Sequence, residues 1–300
     1  MRWLSLCVPA LVTFDRPLKR AAAVAASAAH PWASLPVALS EEDLILSSES
    51  ARIRYNGLLP IEEQVRLQDS HANHIKALLA IITKYDMGNI FAVHSLHRHD
   101  AVPERTIRLQ TDVSGIDGMK WSRATPITDE LLAQDQIHAT FFKVQGTTLE
   151  PLEFAMGPSP LKGHHVPPQF IVDMVEYLTA HDLAGLVAIE VGEFTKTGAS
   201  RGANRTSELE VVWGAIEKLT VVLPFHRMVE EASNPIPTGW NAQDYDAEAE
   251  PDTPPAGEHW NEAKKSDGRV THKVHVDSVA PITPELLNAA LIGQGFVTRV

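Results

Sequence analysis

The sequence predicts an α+β fold: a mixed or antiparallel sheet with two main helices packed on it. Three observations carry this. Two proline-opened segments place apolar residues at helical spacing. Short β-branched runs punctuated by turn residues follow each of them. The composition, 44% hydrophobic and 21% charged over 300 residues, is that of a globular chain with a sizeable core.

Taken in order, "PIEEQVRLQDSHANHIKALLAIITKYDMG" reads as one long helix. Pro60 suits a first helical position, and Glu62 and Glu63 complement the helix dipole. Val65, Ala72, Ile75, Leu79 and Ile82 form its apolar stripe, and Gly88 and Asn89 end it. "IFAVHSLH", "RTIRLQTDV" and "GMKWSRATPI" then read as strands, and "ATFFKVQGTTLEPLEFAM" as one or two more. A second helix spans "VPPQFIVDMVEYLTAHDLAG" and leads to the apolar strand "LVAIEVGEF". "SELEVVWGAIEKLTVVLPFH" reads as a strand pair. A final strand precedes a helix capped by Thr283, with Pro284 after it.

Three regions follow from composition. Residues 1–40 form a basic, Ala-rich extension, with Arg2, Arg16, Lys19 and Arg20 against the single acid Asp15. They are expected to be a disordered extension or a transit peptide, the protein being cytoplasmic in the first case and mitochondrial in the second. Residues 41–228 and 268–300 form a single α+β core. Between them, 229–267 is an acidic, Pro-rich segment with no Lys or Arg from 228 to 263. It is expected to be a disordered insertion, so that deleting 236–258 leaves the melting temperature nearly unchanged, and a candidate contact segment for a protein partner. The net charge of −12 argues against nucleic acid and anionic lipid as partners, and no apolar run is long enough for a membrane span.

Two stretches resemble each other within the chain. "KYDMGNIFAVHSLH" (84–97) lies on "AHDLAGLVAIEVGE" (180–193), with Asp86 on Asp182 and His94 and His97 on Glu190 and Glu193. "PITDELL" (126–132) resembles "PITPELL" (281–287). Joints from helix to strand and helix N-caps also converge on such residues for physical reasons.

The densest chemistry lies in "FAVHSLHRHD". With one cysteine, Cys7, any metal must be held by His, Asp and Glu. Alternation sends His97 and His99 to one face, behind Phe91, Val93 and Ser95, and His94 to the other. The bland alternative is a polar strand end entering a loop. His97, His99 and Glu104 form H-x-H-x4-E, which resembles the first metal motif of cupins. The resemblance implies that His97, His99 and Glu104 hold one metal ion; His94, Asp100, His164 and His165 are other candidate ligands, and imidazole with carboxylate suits zinc or iron. It covers about eight residues. Phe91 stands where a cupin has glycine, and a long helix precedes the strand, unlike a cupin. The "KY…LHRH" stretch resembles uncharacterised proteins of filamentous fungi, which implies a fungal source and no activity. Phosphate-binding glycine loops of the G-x-x-x-x-G-K-[ST] and G-x-G-x-x-G kinds are absent from the sequence.

Two functions fit these residues. One is an enzyme on a small-molecule substrate, metal-dependent or acid–base, with His97, His99, Glu104, Glu190 and Glu193 as catalytic candidates. Its reaction and any further cofactor are undetermined. The other is a non-catalytic binding or accessory protein with structural histidines, contacting its partner through 229–267.

Overall fold

Strand pairing in the computed structural model does not end at a sheet edge. Described are residues 41–64, 66–134, 136–194, 205–214, 217–229, 236–243 and 259–298. The extension 1–40 and much of the acidic segment lie outside them. Helices α1 (Glu41–Asn56), α2 (Leu67–Ser70) and α3 (Ala72–Lys84) lead to β1 (Phe91–Ser95), β2 (Thr106–Asp112) and β3 (Lys120–Pro126). The turn α4 (Asp129–Leu132) precedes the hairpin β4 (Ile137–Gln145) and β5 (Thr148–Met156). Then come α5 (Pro168–Ala180), β6 (Val187–Val191), β7 (Thr206–Trp213), β8 (Glu217–Pro224) and β9 (Pro237–Asn241). The short strands β10 (His259–Trp260), β11 (Ala263–Lys264) and β12 (Val270–Thr271) follow, then β13 (Lys273–Val276) and α6 (Pro284–Gly293).

The sheet runs β9-β1-β6-β4-β5-β2-β3-β8-β7, and β10 pairs with both β7 and β9, so the ring closes. The remaining edge of β7 is shared: β10 takes its start and β13 its later residues, both parallel to it. The class is α+β with a mixed sheet, as expected, and the sheet is a barrel. Among the described residues no helix is long and apolar enough to cross a membrane.

Closure gives each strand an inner and an outer face. Outward, Phe91, Val93, Val187 and Ile189 share one core with Leu78 and Leu79 of α3 and Phe170 and Met174 of α5. The Phe91 and Phe170 rings lie 4.8 Å apart. Leu209, Val211, Leu219 and Val221 share another with Leu287 and Leu291 of α6. The alternate residues, His94, Ala188, Arg108, Gln110, Ser122, Thr220 and Glu208, line a common cavity inside the ring.

The internal similarity is a matter of geometry as well as letters. Helices α3 and α5 have 13 residues each and pack together on the outer face. Both end in an aspartate with positive φ, Asp86 at 55° and Asp182 at 57°. The amides of Met87 and Leu183 bond the carbonyls of Ile82 and Leu178, and those of Phe91 and Val187 bond Met87 and Leu183. β1 and β6 then pair antiparallel with Val93 opposite its own counterpart, Ile189. Across the ring β3 and β8 pair antiparallel, and the parallel pairs β2–β5 and β7–β10 flank them. The ring thus has an approximate two-fold axis through the β1–β6 and β3–β8 seams. Thr128 and Thr283 cap α4 and α6 alike, accepting from Leu131 and Leu286.

Three expectations are corrected. The first long helix is broken: a 3-10 turn at Ile61–Glu63, then α2, then α3, with His71 leaving helical geometry at φ −132°. Ser70 bonds the Arg66 carbonyl and His71 through its side chain, competing with helix continuation. Helix α1 was not expected. Most consequentially, the segment 229–267 contributes β9 and β10 to the ring, with Trp240 fully buried. Its average composition hides a five-residue strand, with Pro237 at the strand start where a missing N–H is tolerated. Deleting 236–258 therefore removes a staff of the barrel. Trp240→Ala is expected to cost about 3–5 kcal/mol, read as a lowered urea midpoint.

Candidate metal centre in the barrel lumen

The histidine cluster forms where β1 stops. The strand ends at Ser95, and the chain then bends so that alternation no longer governs 96–99. Its path is held by Leu96 N–H to the Leu186 carbonyl, Arg98 N–H to the Leu59 carbonyl and His99 N–H to the buried Tyr55 hydroxyl, 3.1 Å away. This bend brings all three histidines together. His94, expected on the opposite face, stacks on His97 with ring centroids 5.4 Å apart. Phe91 and Val93, expected to share the face of His97, point outward to the helices.

His97 and His99 approach edge to face, with their Nε2 atoms 3.2 Å apart. Glu208, from β7, completes the group: its Oε2 is 3.5 Å from His99 Nε2 and 4.0 Å from His97 Nε2. His97 and Glu208 are buried, and His99 is partly so. The opposite ring nitrogens are already engaged. His97 Nδ1 lies 2.9 Å from the Ser95 carbonyl, which can only accept, so Nδ1 carries the proton. His99 Nδ1 lies 3.3 Å from Glu210 Oε1, and the same reasoning applies. With His97 neutral, its Nε2 lone pair faces inward; His99 presents Nε2 to both His97 and Glu208. Glu208 is itself oriented by Asn261 Nδ2, 3.2 Å away, and Asn261 also donates to Thr238.

Electrostatics divide the three groups. Burial, then the positive fields of His99 and His94, hold His97 well below the usual histidine range. Burial also opposes charge on His99, but bonds to Glu208 and Glu210 outweigh it and push it up to about 9. Burial likewise disfavours the Glu208 carboxylate, yet His99 and the neighbouring histidines hold it well below the carboxylate range. His99 is therefore the protonated member of the centre: its Nδ1–H faces Glu210, and its Nε2 proton faces Glu208 and the neutral His97. A divalent ion replacing that proton would meet two imidazole nitrogens and one carboxylate oxygen.

Beside this group lies the buried guanidinium of Arg108, on β2. It pairs with Asp100 at 2.5 Å, bonds Thr220, and has Glu153 3.9 Å away. Glu153 and Glu190 are both pushed up to about 7, burial being the main cause.

Of the residues singled out in the sequence, His97 and His99 converge, and His94 and Glu190 are buried nearby. Glu104 lies exposed in the turn before β2, where Arg105 adopts positive φ, and takes no part in the cluster. Glu193 is exposed beyond the end of β6, and His164 and His165 are exposed in their loop. Glu208, Glu210 and Arg108 went unnoticed in the sequence. Their signal was present: "SELEVVW" and "TIRLQTD" place charges at alternate positions of otherwise apolar strands. The chain matches no family model, and no curated protein or solved structure is similar to it at a significant level.

Glu190 provides a test of the lumen's electrostatics. Its carboxyl keeps its proton in the fold up to about 7, whereas the unfolded chain ionises near 4.5. Its contribution is fully present below the lower value and is lost as pH rises through the higher one. Glu190→Gln is therefore expected to lose less stability than the parent between about pH 5 and pH 8, measured as melting temperature against pH.

Proposed function

We propose that the lumen holds a divalent transition metal on His97, His99 and Glu208, and that the protein is a metal-dependent enzyme acting on a small molecule. The observation that carries this is the orientation of the two imidazoles. Each spends Nδ1 on an internal acceptor and turns Nε2 to a common point with a carboxylate, the arrangement that outer-shell partners impose on metal-binding histidines. Three protein ligands leave coordination positions for water or substrate. Two histidines and a carboxylate suit catalytic zinc or non-haem iron(II). The adjoining cavity has about 30 Å³ of open space, room for about one water-sized ligand. Such an ion would supply Lewis acidity to an oxygen bound there.

A second reading is favoured by the double carboxylate contact of His99. With its proton retained, His99 forms a complete ion network with Glu208 and Glu210, and the histidines are structural in a binding or accessory protein.

Metal content of the purified chain and titration with Zn²⁺ and Co²⁺ separate the two. The metal reading expects stoichiometric binding, weakened by at least about 100-fold in His97→Ala, His99→Ala and Glu208→Gln. Glu210→Gln, acting through His99, should cost about 10–100-fold. If none of these metals binds and His99→Ala chiefly destabilises the fold, by about 3–5 kcal/mol, the structural reading stands.

A further inference from the structure

A second cavity, of about 210 Å³, adjoins the first, and Ser95 forms a wall of both. It opens between the segment that links α1 to α2 and the start of β9. Ile61, Ile236 and Pro237 give it an apolar side. Gln64 and Arg66 line it from the same linking segment.

Of the polar residues in the lining, Gln64 and Arg66 offer N–H donors, Ser95 and Thr238 carry hydroxyls, and Glu62 carries a carboxylate. Gln64 Nε2 is buried and has no hydrogen-bond partner among the described residues. An amide nitrogen offers only hydrogens, so it calls for an acceptor. Arg66 is half exposed, and among the described residues its guanidinium makes one loose contact, 3.8 Å from Asp69. The one carboxylate in the lining, Glu62, is already engaged by Lys273 and by His272 at 3.2 Å. Thr238 accepts from Asn261. Two donors at one side, an apolar wall and an engaged acid describe a site for an acceptor head on a short apolar body.

We infer that this cavity binds a small monocarboxylate, its carboxylate on Gln64 and Arg66 and its apolar body along Ile61, Ile236 and Pro237. Its far end would reach the Ser95 wall of the metal cavity. The inference names the substrate class for the proposed metal enzyme and rests on that reading for what happens at the far end. Binding of the carboxylate itself needs no metal. A guanidinium–carboxylate contact is charge-assisted and stronger than its neutral counterpart, so an acid should be preferred to an amide of the same shape.

The test uses the full chain with 4-methylpentanoate and 4-methylpentanamide, followed by calorimetry in low salt after chelator treatment and again after loading with Co²⁺. The acid is expected to bind in both states, and the amide at least about tenfold more weakly. Arg66→Ala and Gln64→Leu should each weaken the acid about tenfold at an unchanged melting temperature. In the Co²⁺ protein the acid should shift the visible d–d bands. Equal affinity for acid and amide, no binding of either, or an affinity indifferent to both substitutions would overturn the inference. Because the acid–amide comparison uses the parent chain, it holds even if a variant misfolds. Acid binding to a chain that takes up no metal would support this site while the metal reading fails. Metal uptake without acid binding would do the reverse.

Discussion

The pairing of β10 with both β9 and β7 turns an open sheet into a closed ring, and that closure decides what the inward side chains must do. In an open sheet a polar face meets water. Here it meets only the opposite wall, so each charged group has to find its partner within the lumen. Arg108 with Asp100 and Thr220, and His99 with Glu208 and Glu210, are the outcome. The segment that closes the ring also orients the centre, since Asn261 follows directly on β10 and donates to Glu208.

Buried polar networks of this kind are weak sources of stability. Replacing an entire buried ion pair by well-packed apolar residues often leaves a protein equally stable or more so, whereas removing one member is costly. Glu153 and Glu208 on the cavity wall, buried Glu190 and Glu210, and Asp100 paired with Arg108 are thus a costly way to fill a barrel. The folding energy resides instead on the outer face, where α3 and α5 cover one side and α6 another. This separation of duties leaves the inside free to specialise.

Much of the frame was legible from the chain. Alternating apolar residues marked β1, β6, β7 and β8 because their outer faces are buried, and proline and threonine marked the starts of α5 and α6. The pairing of His97 with His99 was legible as an i, i+2 spacing. The third ligand was not, because Glu208 lies more than a hundred residues away and reaches the histidines only through ring closure. Glu104 attracted notice by sequence proximity, yet a turn with a left-handed residue at Arg105 carries it outward. Strand β9 was obscured by its neighbours: a window averaged over an acidic, Pro-rich stretch cannot register the five residues around Trp240. The break at His71 was hidden for the opposite reason, since a continuous apolar stripe masked the local competition from Ser70.

The approximate two-fold axis has a consequence for charge. In a ring made of two identical chains, any inward residue appears twice, and an acid on one strand faces the same acid on its mate. Arg108 is the third residue of β2 and Glu208 the third of β7. Matching places in the two halves therefore hold opposite signs, which identical halves can never do. A single chain frees the two sides of the lumen to differ, so one can gather ligands for a cation while the other supplies the countercharge. An asymmetric interior of this sort has a direction, with a reactive end and a balancing end, inside a frame whose backbone retains its symmetry.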